Sequence, residues 1–119
     1  MHKGIFMLEV LFGGKTKERV LQYILAKEEG YIRGIASFYN ISATLVKQQI
    51  DKLELGGVIV GKDIGNIRMY RLNRRYPFLK ELVALLERAR EGYSPDELDE
   101  LLEIPRQRPR RKGKPLWEK

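Results

Sequence analysis

Apolar positions recur at helical spacing in four stretches of the chain and take on strand spacing in one. Val20, Leu21 and Ile24, with Tyr23 beside them, predict a helix over residues 15–27. Gly13 and Gly14 break the chain before it, Thr16 is its expected N-cap, and Glu28-Glu29-Gly30 ends it. Ile35, Ala36 and Tyr39 predict a second helix over 32–39, and Asn40-Ile41 makes a tight break, since Asn tolerates left-handed backbone. Ser42 is the expected N-cap of a third helix running to Leu55. Val46, Ile50 and Leu53 fall at i, i+4 and i+7 on it, while Lys47, Gln48, Asp51 and Lys52 point elsewhere. Leu45 sits beside the apolar stripe and is assigned to the core edge, the alternative being apolar contact with a partner. Gly56-Gly57 stops the helix.

The period then changes. Residues 58–60 and 67–72 read as strands with turn chemistry at 63–66, which is a β-hairpin. Tyr70 and Leu72 share one strand face, Met69 and Arg71 the other. Tyr31-Ile32 is too short to form a sheet alone. After Pro77, residues 78–90 form an amphipathic helix with Leu79, Leu82, Val83, Leu86 and Ala89 as its stripe. Ser94-Pro95 opens one more short helix, Ser94 as cap and Pro95 at its first position, and Pro105 ends it. Residues 5–12 are either a short leading helix or a packing arm.

These elements predict an α+β, mostly α fold. Two short helices joined by a tight turn are a helix-turn-helix. A helix before and a hairpin after give the winged form, a three-helix core plus a β-hairpin wing, here followed by a C-terminal amphipathic helix. The expected organisation is a winged domain over residues 1–90, an acidic short helix over 91–104 and a basic, largely disordered tail over 105–119.

Charge sharpens that division. The net charge is +7, which favours a polyanionic partner. Residues 1–90 hold 16 Lys and Arg against 9 Asp and Glu; residues 91–104 hold six acids and no base; residues 105–119 hold seven bases and one acid. No apolar run approaches the roughly 20 residues that span a bilayer, so no membrane partner is expected. The absence of cysteine excludes disulfides and fits a reducing, cytoplasmic setting.

The sequence resembles the ArsR/MarR-like group of winged helix-turn-helix regulators. The resemblance runs over residues 11–86 and rests on several segments in order. They are Leu11-Phe12-Gly13 leading into Lys15 to Leu25, Ile35-Ala36, Ser42 with Val46, Ile50 and Leu53, Gly57-Val58-Ile59, Tyr70-Arg71-Leu72-Asn73, and Pro77-Phe78. It implies a sequence-specific double-stranded DNA-binding transcriptional regulator, usually a homodimer and usually a repressor. By position in such folds, the exposed start of the third helix meets base edges; here it holds Ala43, Thr44, Lys47 and Gln48. Gln pairs bidentately with adenine, Lys donates to guanine, and the methyls of Ala43 or Thr44 suit thymine. Ser42 and the first helical N–H groups suit a phosphate. Lys62 and Arg68 flank the hairpin tip and are expected to reach phosphate or minor groove. The resemblance further implies pairing of two copies through Leu79, Leu82, Val83 and Leu86.

Other chemistry is sparse. The one histidine is His2, so no metal-ligand cluster is expected, and no cofactor. Gly13-Gly14-Lys15-Thr16 mimics the end of a phosphate-binding loop, but Glu9 stands where that pattern needs its first glycine. No nucleophile–base pair or carboxylate dyad is evident, so the chain is not read as an enzyme. Two other functions stay open: a winged-helix protein-interaction module in a larger assembly, and RNA binding through the basic tail. The acidic helix either docks on the chain's own basic body or recruits a partner.

Overall fold

A computed structural model describes residues 8–103. The elements run α1 (Glu9–Phe12), α2 (Lys15–Lys27), α3 (Ile32–Tyr39), α4 (Ala43–Leu55), β1 (Ile59–Ile64), β2 (Ile67–Leu72), α5 (Leu79–Ala89), a 3-10 turn (Arg90–Gly92) and α6 (Pro95–Leu102). Residues 5–7 of the leading segment and the basic tail lie outside the described residues; Glu9–Phe12 is helical.

Local chemistry sets most boundaries. Gly13, at φ +79°, closes α1 by donating its N–H to the Glu9 carbonyl. Because Gly14 then leads straight into α2, that helix starts one residue before Thr16, which is therefore inside the helix and not its cap. Asn40 adopts φ +57° and closes α3, while Ile41 donates its N–H to the Ala36 carbonyl at 3.0 Å. Ser42 caps α4, its Oγ accepting the Leu45 N–H at 3.1 Å. Ser94 and Glu97 form a reciprocal capping box at the start of α6, with Pro95 in the first turn.

The helices and the hairpin bury one core. Val20, Leu21 and Ile24 of α2 meet Ile35 and Ala36 of α3, Val46, Ile50 and Leu53 of α4, Ile59 and Tyr70 of the hairpin, and Leu86 and Ala89 of α5. The strands run farther toward the tip than the turn residues suggested. They pair in antiparallel register from Ile59↔Leu72 to Ile64↔Ile67, leaving a two-residue Gly65-Asn66 turn with Gly65 at φ +61°. Gly30 adds a bridge to Tyr70, with N–H to carbonyl bonds of 2.9 and 2.8 Å in the two directions. Asn73 Nδ2 donates to the Gly57 carbonyl at 2.8 Å, and its backbone N–H to the Val58 carbonyl, which ties the base of the hairpin to the end of α4.

Two polar side chains of α2, Glu18 and Gln22, are wholly buried. Gln22 Nε2 donates to the Leu86 carbonyl at 2.7 Å, and its Oε1 accepts from Arg90 Nε at 2.9 Å. Glu18 accepts the Leu8 N–H at 3.2 Å on one oxygen and the Tyr93 hydroxyl on the other. The pair thus bolts α5, the 3-10 turn and the chain before α1 onto α2. The acidic helix α6 packs on α2 as well: Leu101 is buried and Lys27 Nζ donates to the Glu100 carbonyl at 3.3 Å.

Candidate nucleic-acid interface

The buried stripe of α4 fixes what its opposite side presents. At about 100° per residue, Thr44 and Gln48 point directly away from Val46, Ile50 and Leu53. Ser42, Ala43, Thr44, Lys47 and Gln48 are all exposed around the first two turns. Lys47 Nζ is held by Asp51 at 2.7 Å, one turn on. That hydrogen bond, followed by the attraction of the same carboxylate, raises the Lys47 pKa above the ordinary lysine value. An exposed pair of this kind is weak, so a base edge or phosphate can take the ammonium over.

Leu45 is 45% exposed and does not close the core. It lies about 100° round the helix from Val46, on the flank that also carries Lys52. Its alternative assignment as an apolar contact surface is the one its exposure leaves.

The two hairpin cations separate. Alternation along the strands puts Lys62 on the outer face with Val60, Ile64, Ile67 and Met69, and Arg68 on the inner face with Gly61 and Tyr70. Lys62 is exposed to solvent near the tip, one residue before Asp63. Arg68 does not extend from the tip as expected. It folds flat, donating to Asp63 at 3.0 Å and to Glu54 of α4 at 2.8 Å, with its guanidinium 5.7 Å from the centre of the Tyr70 ring. Gly61 makes room for it: a Cβ there would stand 2.6 Å from Arg68 Nε. Arg68 is a strut that fixes the hairpin against the last turn of α4.

Two solved structures resemble this arrangement. The adhesin competence repressor AdcR of Streptococcus pyogenes is 18% identical, over 78% of this chain and 81% of its own, with a TM-score of 0.48. A double mutant of Lactococcus lactis ZitR in apo form is 19% identical, over 85% of this chain and 78% of its own, with a TM-score of 0.51. No family model matches the chain, and no curated protein sequence does. The fold is a winged helix-turn-helix.

In that fold α3 and α4 are the helix-turn-helix, and the β1–β2 hairpin is the wing. The helix after the wing divides the expected dimer contacts. Leu79, Leu82 and Val83 are half-buried, whereas Leu86 is 0% exposed. Leu86 is therefore spent on the chain's own core and has no surface to offer a second copy. Its place on the stripe could not show this, because the same stripe serves both purposes. Among the described residues, no group of three or more His, Cys, Asp and Glu is placed to hold a metal ion. His2 lies outside them, and no described helix is long and apolar enough to cross a membrane.

The burial of Glu18 and Gln22 has no signal in the sequence, where both read as solvent-facing positions of an amphipathic helix. Their partners, from 10 to 75 residues away, explain it. The inward turn of Arg68 does leave a signal: it shares strand parity with Tyr70 and Leu72.

Proposed function

We propose that the chain is a sequence-specific double-stranded DNA-binding transcriptional regulator of the cytoplasm, a repressor that acts as a homodimer without cofactor or metal. The observation that carries the reading is the exposed face of α4. It is capped by Ser42, raised on a winged scaffold, and lined by side chains suited to base edges. The major groove, about 12 Å wide, admits one such helix. Thr44, Lys47 and Gln48 are the readers in this proposal, with Ala43 and Leu45 offering apolar contact to thymine methyls. Ser42 and the helix start hold a phosphate, and Lys62 holds another from the wing. Arg68 has no direct part; it sets the angle between wing and reader.

The dimer in this reading forms across α5, where Leu79 and Val83 line a shallow groove with Tyr76, Pro77 and Ala84. The resemblance to ZitR supports the winged helix-turn-helix fold on which the DNA-binding reading rests.

The test is selection of bound sequences from a random duplex pool, with wild type and with Lys47→Ala plus Gln48→Ala. Wild type is expected to recover a palindrome with half-sites about 34 Å apart, one DNA turn. The double variant is expected to lose on the order of tenfold or more in preference for it. No preferred sequence at near-physiological salt would replace this reading with a protein-docking module. Preference that survives in the double variant would remove α4 as the reader.

A further inference from the structure

The wing of this chain ends on apolar side chains. Ile64 and Ile67 form the last cross-strand pair before the Gly65-Asn66 turn and are 48% and 38% exposed. The apolar surface continues along the outer face through Val60, 41% exposed, and Met69. A hairpin tip of two residues and one flanking pair normally faces water, and two isoleucines there cost solvation unless something covers them.

Charge narrows what that cover is. The side chains on the outer face are Val60, Lys62, Ile64, Ile67, Met69 and Arg71, with no carboxylate among them. Asp63, the acid nearest the tip, is on the opposite face and is bound by Arg68. An apolar tip beside Lys62 suits a surface that is negative at its rim and apolar within. Stacked bases between two phosphate strands are such a surface.

Rigidity supplies the rest. Arg68 ties the hairpin to Glu54, so the tip is carried at a set offset from the reading face of α4. With α4 in the major groove as proposed, the hairpin beside it faces the flanking groove, and the minor groove is about 6 Å wide. Apolar wedges of Ile, Leu, Phe or Met inserted there part a base step and kink the duplex by about 20–90°.

We infer that Ile64 and Ile67 are a minor-groove wedge, anchored to phosphate by Lys62, which bends the duplex beside the site read by α4. The inference rests on the proposed DNA-binding function. It adds a specificity that no base contact supplies, because pyrimidine–purine steps such as TA and CA unstack most easily. Sites with such a step under the wing tip are favoured over sites with a stiff A-tract there.

The full chain and a short duplex recovered from the random pool test this. Bending is read by energy transfer between dyes at the duplex ends, and unstacking by 2-aminopurine placed at the step under the tip. The comparison variant is Ile64→Thr plus Ile67→Thr, which keeps β-branched residues in an exposed hairpin; circular dichroism and melting confirm that it folds. Wild type is expected to bend the duplex and raise the 2-aminopurine signal severalfold. The variant is expected to bind it nearly straight, about tenfold more weakly, with the same preference for the bases under α4. A wild-type complex with straight DNA, or a variant that bends as well as wild type, overturns the wedge while leaving DNA reading intact. If wild type prefers no duplex at all, the wedge falls together with the function beneath it.

Discussion

Glu18 is a carboxyl shielded from solvent that accepts from two donors, the Leu8 N–H and the Tyr93 hydroxyl. Burial raises its pKa above the ordinary 4.5, and the two hydrogen bonds only partly offset this. Burial, and then Glu18 itself, also push the Tyr93 hydroxyl above its ordinary value, so Tyr93 remains the proton donor of the pair. The folded chain therefore holds a proton on Glu18 more tightly than the unfolded chain does. The associated stability is fully present below the unfolded value and is lost as pH rises through the folded one. Glu18→Gln keeps the size and the acceptor oxygen but removes the titration. Urea unfolding of both proteins from pH 4 upward should show the stability difference, wild type minus variant, falling by up to about 1.4 kcal/mol per pH unit in that window. A flat or rising difference would show that Glu18 enters the fold already ionised without penalty.

At the scale of elements, the same apolar spacing yields different fates. On α4 the stripe is entirely core, and the helix is legible from Ser42 to Leu55. On α5 the stripe is divided between the core, which takes Leu86 and Ala89, and a groove edge that keeps Leu79 and Val83 half-exposed. Periodicity gives the face of a helix but not what covers each turn of it. If α5 pairs with its copy as proposed, Val83→Glu places two carboxylates near one two-fold axis. Unpaired charges buried in an interface cost several kcal/mol, so dimer affinity should fall about a hundredfold or more in sedimentation velocity. An unchanged dimer mass would move the interface off α5. On the wing, strand parity is legible, and with it the inner position of Arg68; the attraction of Glu54 and Asp63 then decides its pose.

Across the whole molecule the charge is not where a winged domain would carry it. The described residues, 8–103, hold 15 Lys and Arg and 15 Asp and Glu. The excess of +7 thus belongs to the terminal segments, residues 104–119 above all. With α6 packed on α2, the six acids of residues 91–103 belong to the same body as its bases. Non-specific attraction to DNA should therefore come mainly from the basic tail. Ending the chain after Glu103 removes seven bases and one acid. Affinity at low salt should fall about ten- to a hundredfold, and the slope of log K against log salt should flatten by roughly 0.9 for each phosphate that the tail neutralised. The preferred sequence should be unchanged. Loss of all binding would make the tail the nucleic-acid element and return α4 to a structural role.

What the sequence determined by itself was local: the order of helices and strands, the core stripes, the left-handed Asn40, and the caps at Ser42 and Ser94. Each of these depends on residues within a turn or two, where spacing and backbone preference act directly. Tertiary structure decided the burial of Glu18 and Gln22, the commitment of Leu86 to the core, the exposure of Leu45, the docking of α6 and the capture of Arg68 by Glu54. Those outcomes depend on groups brought together from distant parts of the chain, whose desolvation and pairing no local pattern encodes.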